Sequence, residues 1–214
     1  MQMNKPLIIA HRGDHTDGQL ENSLPAFASA IQLGADGLEV DVQLHEGRLI
    51  LKHNIDAHMP PVVDDFASFL ALVKETNYHG LLLIELKGKQ GAAQLYRELQ
   101  AAQVDAPVML QSFQVNALET WRRLDKTIPL GLLQHLPNRL SRQLFQSGVI
   151  QNNNLDYRYV PFIFARAREV VTYWWTPTKT WVLKMMFMTR VAGVITDDVR
   201  LAQQIRDRDG KKYG

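Results

Sequence analysis

The chain has 214 residues, no cysteine and a formal net charge of +2. Hydrophobic residues make up 46% and charged residues 21%, the balance of a globular chain with one sizeable core. Disulfides and thiolate metal sites are excluded, and so small a charge gives no footing for nucleic acid as a partner.

Residues 1–10 carry one lysine and an apolar run only from Leu7 to Ala10, too short for a secretion signal. No stretch has the length of a transmembrane helix. The nearest, Trp181 to Val194, is interrupted by Lys184, Arg190 and Gly193. It reads as a buried amphipathic helix running into a strand, with a helix lying on a membrane surface as the alternative. The expectation is a single domain over residues 1–214, in the cytoplasm.

In chain order, Leu7 to Ala10 reads as a buried strand. Glu21 to Gly34 reads as a helix. Asn22 or Ser23 caps it, Pro25 suits its first turn, and Leu24, Phe27 and Ile31 recur at helical spacing. Gly37 to Val42 is a second strand, Glu46-Gly47 a turn, and Arg48 to His53 an extended return arm. Asp64 is positioned to cap a helix reaching Thr76. Leu81 to Leu86, Pro107 to Gln111 and Ile128 to Leu133 are strands, separated by helices over Gly91 to Ala102 and Val115 to Leu124. Asn138 to Gln146 is a further helix, followed by a short strand near Leu155 and a helical pattern from Val160 to Arg168. Val170 to Trp175 and Gly193 to Thr196 are the last strands, with helices over Thr178 to Met188 and Val199 to Arg206.

Strict alternation of helices with strands that are apolar on both faces predicts a parallel sheet. About eight such units in about 200 residues fit a closed (β/α)8 TIM barrel, whose chemistry sits at the C-terminal ends of its strands. An open doubly wound sheet is the alternative, but no glycine-rich phosphate loop follows any strand.

Side chains alternate along a strand, so parity sorts the residues near the strand ends. Leu7, Ile9 and His11 share a face. Glu39 and Asp41 share one in the second strand, and Leu81, Leu83 and Glu85 in the strand before Lys87. His11, Glu39, Asp41, Glu85 and Lys87 then converge on one rim. Three carboxylates in an apolar mouth repel one another and are costly to desolvate. Lys87 and Arg12 offset part of that charge, and a hard divalent cation, Mg²⁺ or Ca²⁺, would offset it better. A Glu85–Lys87 ion pair of purely structural purpose is the competing reading for those two. By parity counted from Thr172, Trp174 is expected in the mouth. His15, His45, His58, His79 and His135 have no partner legible from spacing and read as surface or loop residues. Asp14 and Asp17 read as parts of a solvated loop beside the site.

These residues carry a resemblance. His11-Arg12-Gly13, Glu21-Asn22-Ser23, Gly34-Ala35-Asp36, Glu39-Val40-Asp41, His53, Glu85-Leu86-Lys87, Ser112-Phe113 and Gly193 to Asp197 occur in the order of the glycerophosphodiester phosphodiesterase family. The resemblance implies a (β/α)8 barrel with one divalent metal on Glu39, Asp41 and Glu85. It further implies His11 and His53 as general acid and base, and Arg12 and Lys87 on the phosphate. The implied reaction is hydrolysis of a small or lipid-derived glycerophosphodiester to glycerol 3-phosphate and an alcohol. Two alternatives stand beside it: phospholipase D-type hydrolysis of lipid head groups, and a non-catalytic phosphodiester-binding barrel. The chain departs from the family pattern at Asn54, where aspartate is usual and Asp56 is the available stand-in. It also departs at Leu44-His45-Glu46-Gly47, which keeps only the turn glycine. The short segment from Asn54 to Val63 leaves no room for a large capping insertion, which predicts an open mouth.

Overall fold

The computed structural model describes residues 5–55, 63–88, 90–159, 171–188 and 191–209. Along the chain lie β1 (Leu7–His11), α1 (Leu24–Gln32), β2 (Gly37–His45), β3 (Arg48–Leu51), α2 (Phe66–Glu75), β4 (Leu81–Leu86) and α3 (Ala92–Ala102). They continue with β5 (Val108–Ser112), α4 (Val115–Leu124), β6 (Leu130–Gln134), α5 (Arg139–Gln146) and β7 (Asn152–Asp156). The last are β8 (Val171–Trp175), α6 (Thr180–Phe187), β9 (Gly193–Thr196) and α7 (Val199–Asp209). The expected helix from Val160 to Arg168 lies outside the described residues, as do Asp56 and His58.

Eight strands are parallel neighbours in the order β1-β9-β8-β7-β6-β5-β4-β2, and pairing of β1 with β2 closes the ring. This is the expected (β/α)8 barrel. The extended return arm is β3, an antiparallel partner of the outer part of β2, with Val42 opposite Leu51 and His45 opposite Arg48. Glu46 (φ 47°) and Gly47 (φ 79°) make the two-residue turn, the geometry that matches strand twist.

Closure divides the apolar residues into two layers. Ile9, Leu81, Leu83, Met109, Tyr173 and Ile195 fill the barrel interior. Their strand neighbours Ile8, Leu38, Val40, Leu82, Ile84, Leu110 and Val194 face outward, under the helices. There Phe27 of α1 meets Phe69 of α2 edge to face at 4.8 Å, and Phe66 stacks on Phe69 at 6.0 Å. Such aromatic pairs add about 1 kcal/mol each beyond the area they bury.

Two expectations are corrected by this packing. The cap of α2 is Asp65, whose carboxylate accepts from Ser68 N at 2.9 Å. Asp64 instead accepts from Leu24 N at 2.8 Å, tying the entry of α2 to the first residue of α1. Trp174 does not face the mouth: it is buried in the layer between barrel and helices, opposite Leu155 and Val194. Tyr173 and Trp175 are the inward-facing residues of β8. Nothing local marks the inner face of this strand, because a parallel strand is covered on both sides.

Candidate active site at the C-terminal mouth

Strand register builds the floor of the site. His11, the last residue of β1, is level with Glu39 on β2, and Asp41 is level with Glu85 on β4. Glu39, Asp41 and Glu85 are all buried, and one carboxylate oxygen from each lies within 4.8 Å of the others. Lys87, just beyond β4, reaches back with Nζ 3.0 Å from Asp41 Oδ1 and 2.6 Å from Glu85 Oε1.

The β1–α1 loop brings the guanidinium. Arg12 takes a left-handed conformation, φ 57°, which costs a non-glycine residue about 1–2 kcal/mol. Two backbone bonds hold it there: Arg12 N donates to Glu39 O at 3.0 Å, and Asn22 N donates to Arg12 O at 2.9 Å. Gly13 follows at φ 83°, with α1 so close that a Cβ would sit 2.6 Å from the carbonyl carbon of Ala26. The turn aims the Arg12 side chain across the mouth. Its Nε lies 2.9 Å from Asp41 Oδ2, Nη1 donates to Glu21 at 2.9 Å, and Nη2 lies 2.7 Å from His53 Nδ1. Asn22 completes the clasp, donating Nδ2–H to Asp41 Oδ2 at 2.9 Å while its Oδ1 accepts from Asp41 N at 3.0 Å.

The three acids are not equivalent. Burial works to raise Asp41, but His53, Lys87, Arg12 and Asn22 outweigh it and hold this carboxyl far below the usual range. Glu39 is raised well above the usual range by burial and by the charges of Asp41 and Glu85. Its own hydrogen-bond donors are Arg12 N at 3.2 Å and the Gln111 amide at 3.3 Å. Burial and Asp41 push Glu85 up to about 7, with Lys87 opposing. Arg12 and Lys87 remain charged: burial disfavours their cationic forms, but Asp41 and the neighbouring glutamates more than offset it. Two fixed cations therefore face three buried acids. This oxygen-only donor set, short of positive charge and grouped within 4.8 Å, fits a hard divalent cation.

The histidines stand on either side. His11 Nδ1 lies 2.6 Å from Asp197 Oδ1, the residue directly after β9. His53 Nδ1 is 2.7 Å from Arg12 Nη2 and 3.2 Å from Asp41 Oδ2. Across the mouth, half-buried Trp175 donates Nε1–H to Asn154 O at 3.0 Å, and its ring meets Phe113 and His135 at 5.6 and 5.4 Å. The expected site residues His11, Arg12, Glu39, Asp41, His53, Glu85 and Lys87 are thus brought together, and Trp174 is replaced by Trp175.

Sequence reasoning gave no site role to Asp197, Glu21 or Gln111, and offered Asn22 only as a helix cap, a place that Ser23 takes. Asp197 was within reach: once first and last strands are neighbours, the pairing of Ala10 with Thr196 makes Asp197 the residue beside His11. His15 and His135, read as unpartnered, sit 3.9 Å from Asp197 and 3.0 Å from Asp156. Asp14 is buried, bound to Ser29 and Thr16, rather than part of a solvated loop. Asn54 is exposed.

Comparisons with known proteins converge on one group. The sequence model of the glycerophosphoryl diester phosphodiesterase family matches residues 11–90. A glycerophosphodiester phosphodiesterase of Caldanaerobacter subterraneus is 51% identical over 51 residues, 23% of this chain and 21% of that protein. The matched stretch thus spans about a fifth of that curated relative. Among solved structures, a glycerophosphodiester phosphodiesterase from Parabacteroides distasonis superposes with a TM-score of 0.85 at 18% identity, covering 96% of this chain and 98% of that one. A phosphodiesterase of Oleispira antarctica, in complex with the product sn-glycerol-3-phosphate, superposes with a TM-score of 0.80 at 18% identity, covering 94% and 97%. Residues 11–90 thus carry the glycerophosphoryl diester phosphodiesterase family's sequence pattern, and the barrel around them has the fold of that family's solved structures.

Proposed function

We propose that the protein hydrolyses glycerophosphodiesters to glycerol 3-phosphate and an alcohol, with Glu39, Asp41 and Glu85 holding one Mg²⁺ or Ca²⁺. The observation that carries this is the meeting of two histidines, a guanidinium and an ammonium over a buried three-carboxylate floor. A phosphodiester anion resists nucleophiles, and a bound divalent cation supplies charge that offsets this resistance. Arg12 and Lys87 add fixed positive charge where charge develops on the phosphoryl oxygens.

The contacts of the two imidazoles support different roles. With Asp197 accepting from Nδ1–H of His11, the lone pair of His11 lies on Nε2, the form of a general base. His53 Nδ1 is occupied by Arg12 Nη2 at 2.7 Å and Asp41 Oδ2 at 3.2 Å, which leaves Nε2 as the nitrogen placed to give a proton to the leaving alkoxide. Trp175 and Phe113 form an aromatic wall on the far side of the mouth, suited to the alcohol portion.

The test is release of glycerol 3-phosphate from glycerophosphocholine and glycerophosphoethanolamine by protein stripped with chelator and then reloaded with Mg²⁺ or Ca²⁺. Turnover restored by either cation is expected. No turnover with any divalent cation, while phosphodiesters still bind, would establish a binding barrel instead.

A further inference from the structure

Eight large hydrophobic side chains are exposed among the described residues, and six of them lie at the mouth end of the barrel. They are Leu20, Ile55, Phe113, Leu136, Leu140 and Trp181. Leu124 and Met188 close helices at the other end. Four of the six cluster on one half of the rim. Phe113 follows β5, Leu136 and Leu140 follow β6, and Trp181 follows β8; they are 45%, 45%, 48% and 66% exposed. Strands β5 to β8 are consecutive in the sheet, so their loops are side by side. Ring contacts join the loops after β5, β6 and β7 and the end of β8: His135 lies 6.1 Å from Phe113, 5.4 Å from Trp175 and 6.3 Å from Tyr159.

Among the described residues nearest the strand ends, the charges on this half are of one sign. Residues 113–118, 135–142, 157–159 and 176–183 contain Arg139, Arg142, Arg158 and Lys179, all exposed, and no aspartate or glutamate. Asp156 lies beneath, buried and bridged to Arg158 and His135. The loops after β1 and β9, on the other half, carry Asp17, Glu21, Asp197 and Asp198 beside Arg12 and Arg200. Bulky apolar tips interleaved with arginine and lysine, without acids, are the surface chemistry of proteins that rest on anionic bilayers.

We propose that six described side chains beside the β5, β6, β7 and β8 strand ends dock on anionic phospholipid bilayers, with Trp181, Leu140 and Leu136 entering the interface and Arg139, Arg158 and Lys179 meeting the head groups. The docked barrel would present its mouth to the bilayer. The proposal concerns binding alone and does not rest on the hydrolytic reading.

The test is co-sedimentation of the protein with vesicles of phosphatidylcholine, with and without phosphatidylglycerol. Binding to the phosphatidylglycerol vesicles only, weakened by salt, is expected. Trp121 and Trp174 are buried and Trp175 is half-buried and bonded to Asn154 O, so exposed Trp181 should give most of a blue shift in emission on binding. Removing one basic residue should weaken vesicle binding about fivefold, and Arg139→Ala with Lys179→Ala by more than tenfold. Trp181→Ala should abolish most of the emission shift. These side chains are exposed, so the variants should keep the wild-type melting temperature, which separates lost docking from lost folding. Three results would overturn the proposal: no sedimentation with either vesicle, equal sedimentation with both, or an Arg139/Lys179 variant that binds like wild type. Concentration-dependent dimerisation lost in Trp181→Ala, without vesicle binding, would assign the patch to a second copy of the chain.

Discussion

His11 Nδ1 and Asp197 Oδ1 are 2.6 Å apart, so the last residue of the first strand is gripped by the first residue beyond the last strand. The bond exists only because the barrel closes. It fixes the imidazole against the rim and leaves Nε2 as the nitrogen able to exchange a proton. Asp197 is itself held below the usual carboxylate range: burial works to raise it, but its bond to His11 and the charges of His11, His15 and Arg12 together outweigh that cost. It therefore serves as an anion that positions the ring.

His11→Ala should lower kcat by roughly 10²–10⁴-fold, the range for losing a general acid or base. Asp197→Ala should lower kcat less, with KM little changed, because a misoriented imidazole still transfers protons part of the time. Steady-state kinetics on glycerophosphocholine checks both. Full activity in His11→Ala would remove the two-histidine mechanism.

Metal-free protein should become less stable between pH 5 and 8. Glu85 has a folded-state value raised to about 7, so its contribution to stability is full below the unfolded value and lost as pH rises through the folded one. Glu39 acts in the same direction. The depressed Asp41 works oppositely, but its window lies at more acid pH. A shift of the Glu85 size corresponds to on the order of 3 kcal/mol. Added Ca²⁺ or Mg²⁺ should raise the melting temperature more at pH 8 than at pH 5.5, and Glu85→Gln should flatten the metal-free profile. Thermal melts across pH decide this.

Gly13→Ala should destabilise the fold by at least about 1–2 kcal/mol, the cost of a left-handed alanine, with steric overlap against Ala26 added. The displaced turn carries Arg12, so activity per folded molecule should fall as well. Urea unfolding and kinetics on the same sample separate the two effects.

Trp174→Ala and Trp175→Ala should fail in different ways. Trp174 fills the layer under the helices, and its truncation should cost about 3–5 kcal/mol with KM preserved in the folded fraction. Trp175 stands in the mouth against Phe113, so its truncation should raise KM with a smaller loss of stability.

The site was legible where chemistry is local. Two acids spaced by two on a strand share a face whatever surrounds them, and so do Leu83 and Glu85, so Glu39, Asp41 and Glu85 could be set on one rim by counting. The same counting failed at Trp174 and Trp175, because the strand Val171–Trp175 is covered on both sides and Thr172, from which parity was counted, does not mark the inner face. The histidines show the same division. His11 was found from its place after an apolar run, whereas the partners of His15 and His135 lie on other strands' loops.

The sequence by itself determined the alternation of strands and helices, the parity of the acids and the need for positive charge beside them. Period-2 geometry, local propensity and the cost of burying like charges act within a few residues of chain. Only the tertiary structure decided that Asp197 holds His11 across 186 residues, that Arg12 spans Glu21, Asp41 and His53, and that Asp65 rather than Asp64 caps α2. Those choices depend on strand register and barrel closure, which bring distant backbone into contact and have no counterpart in local spacing.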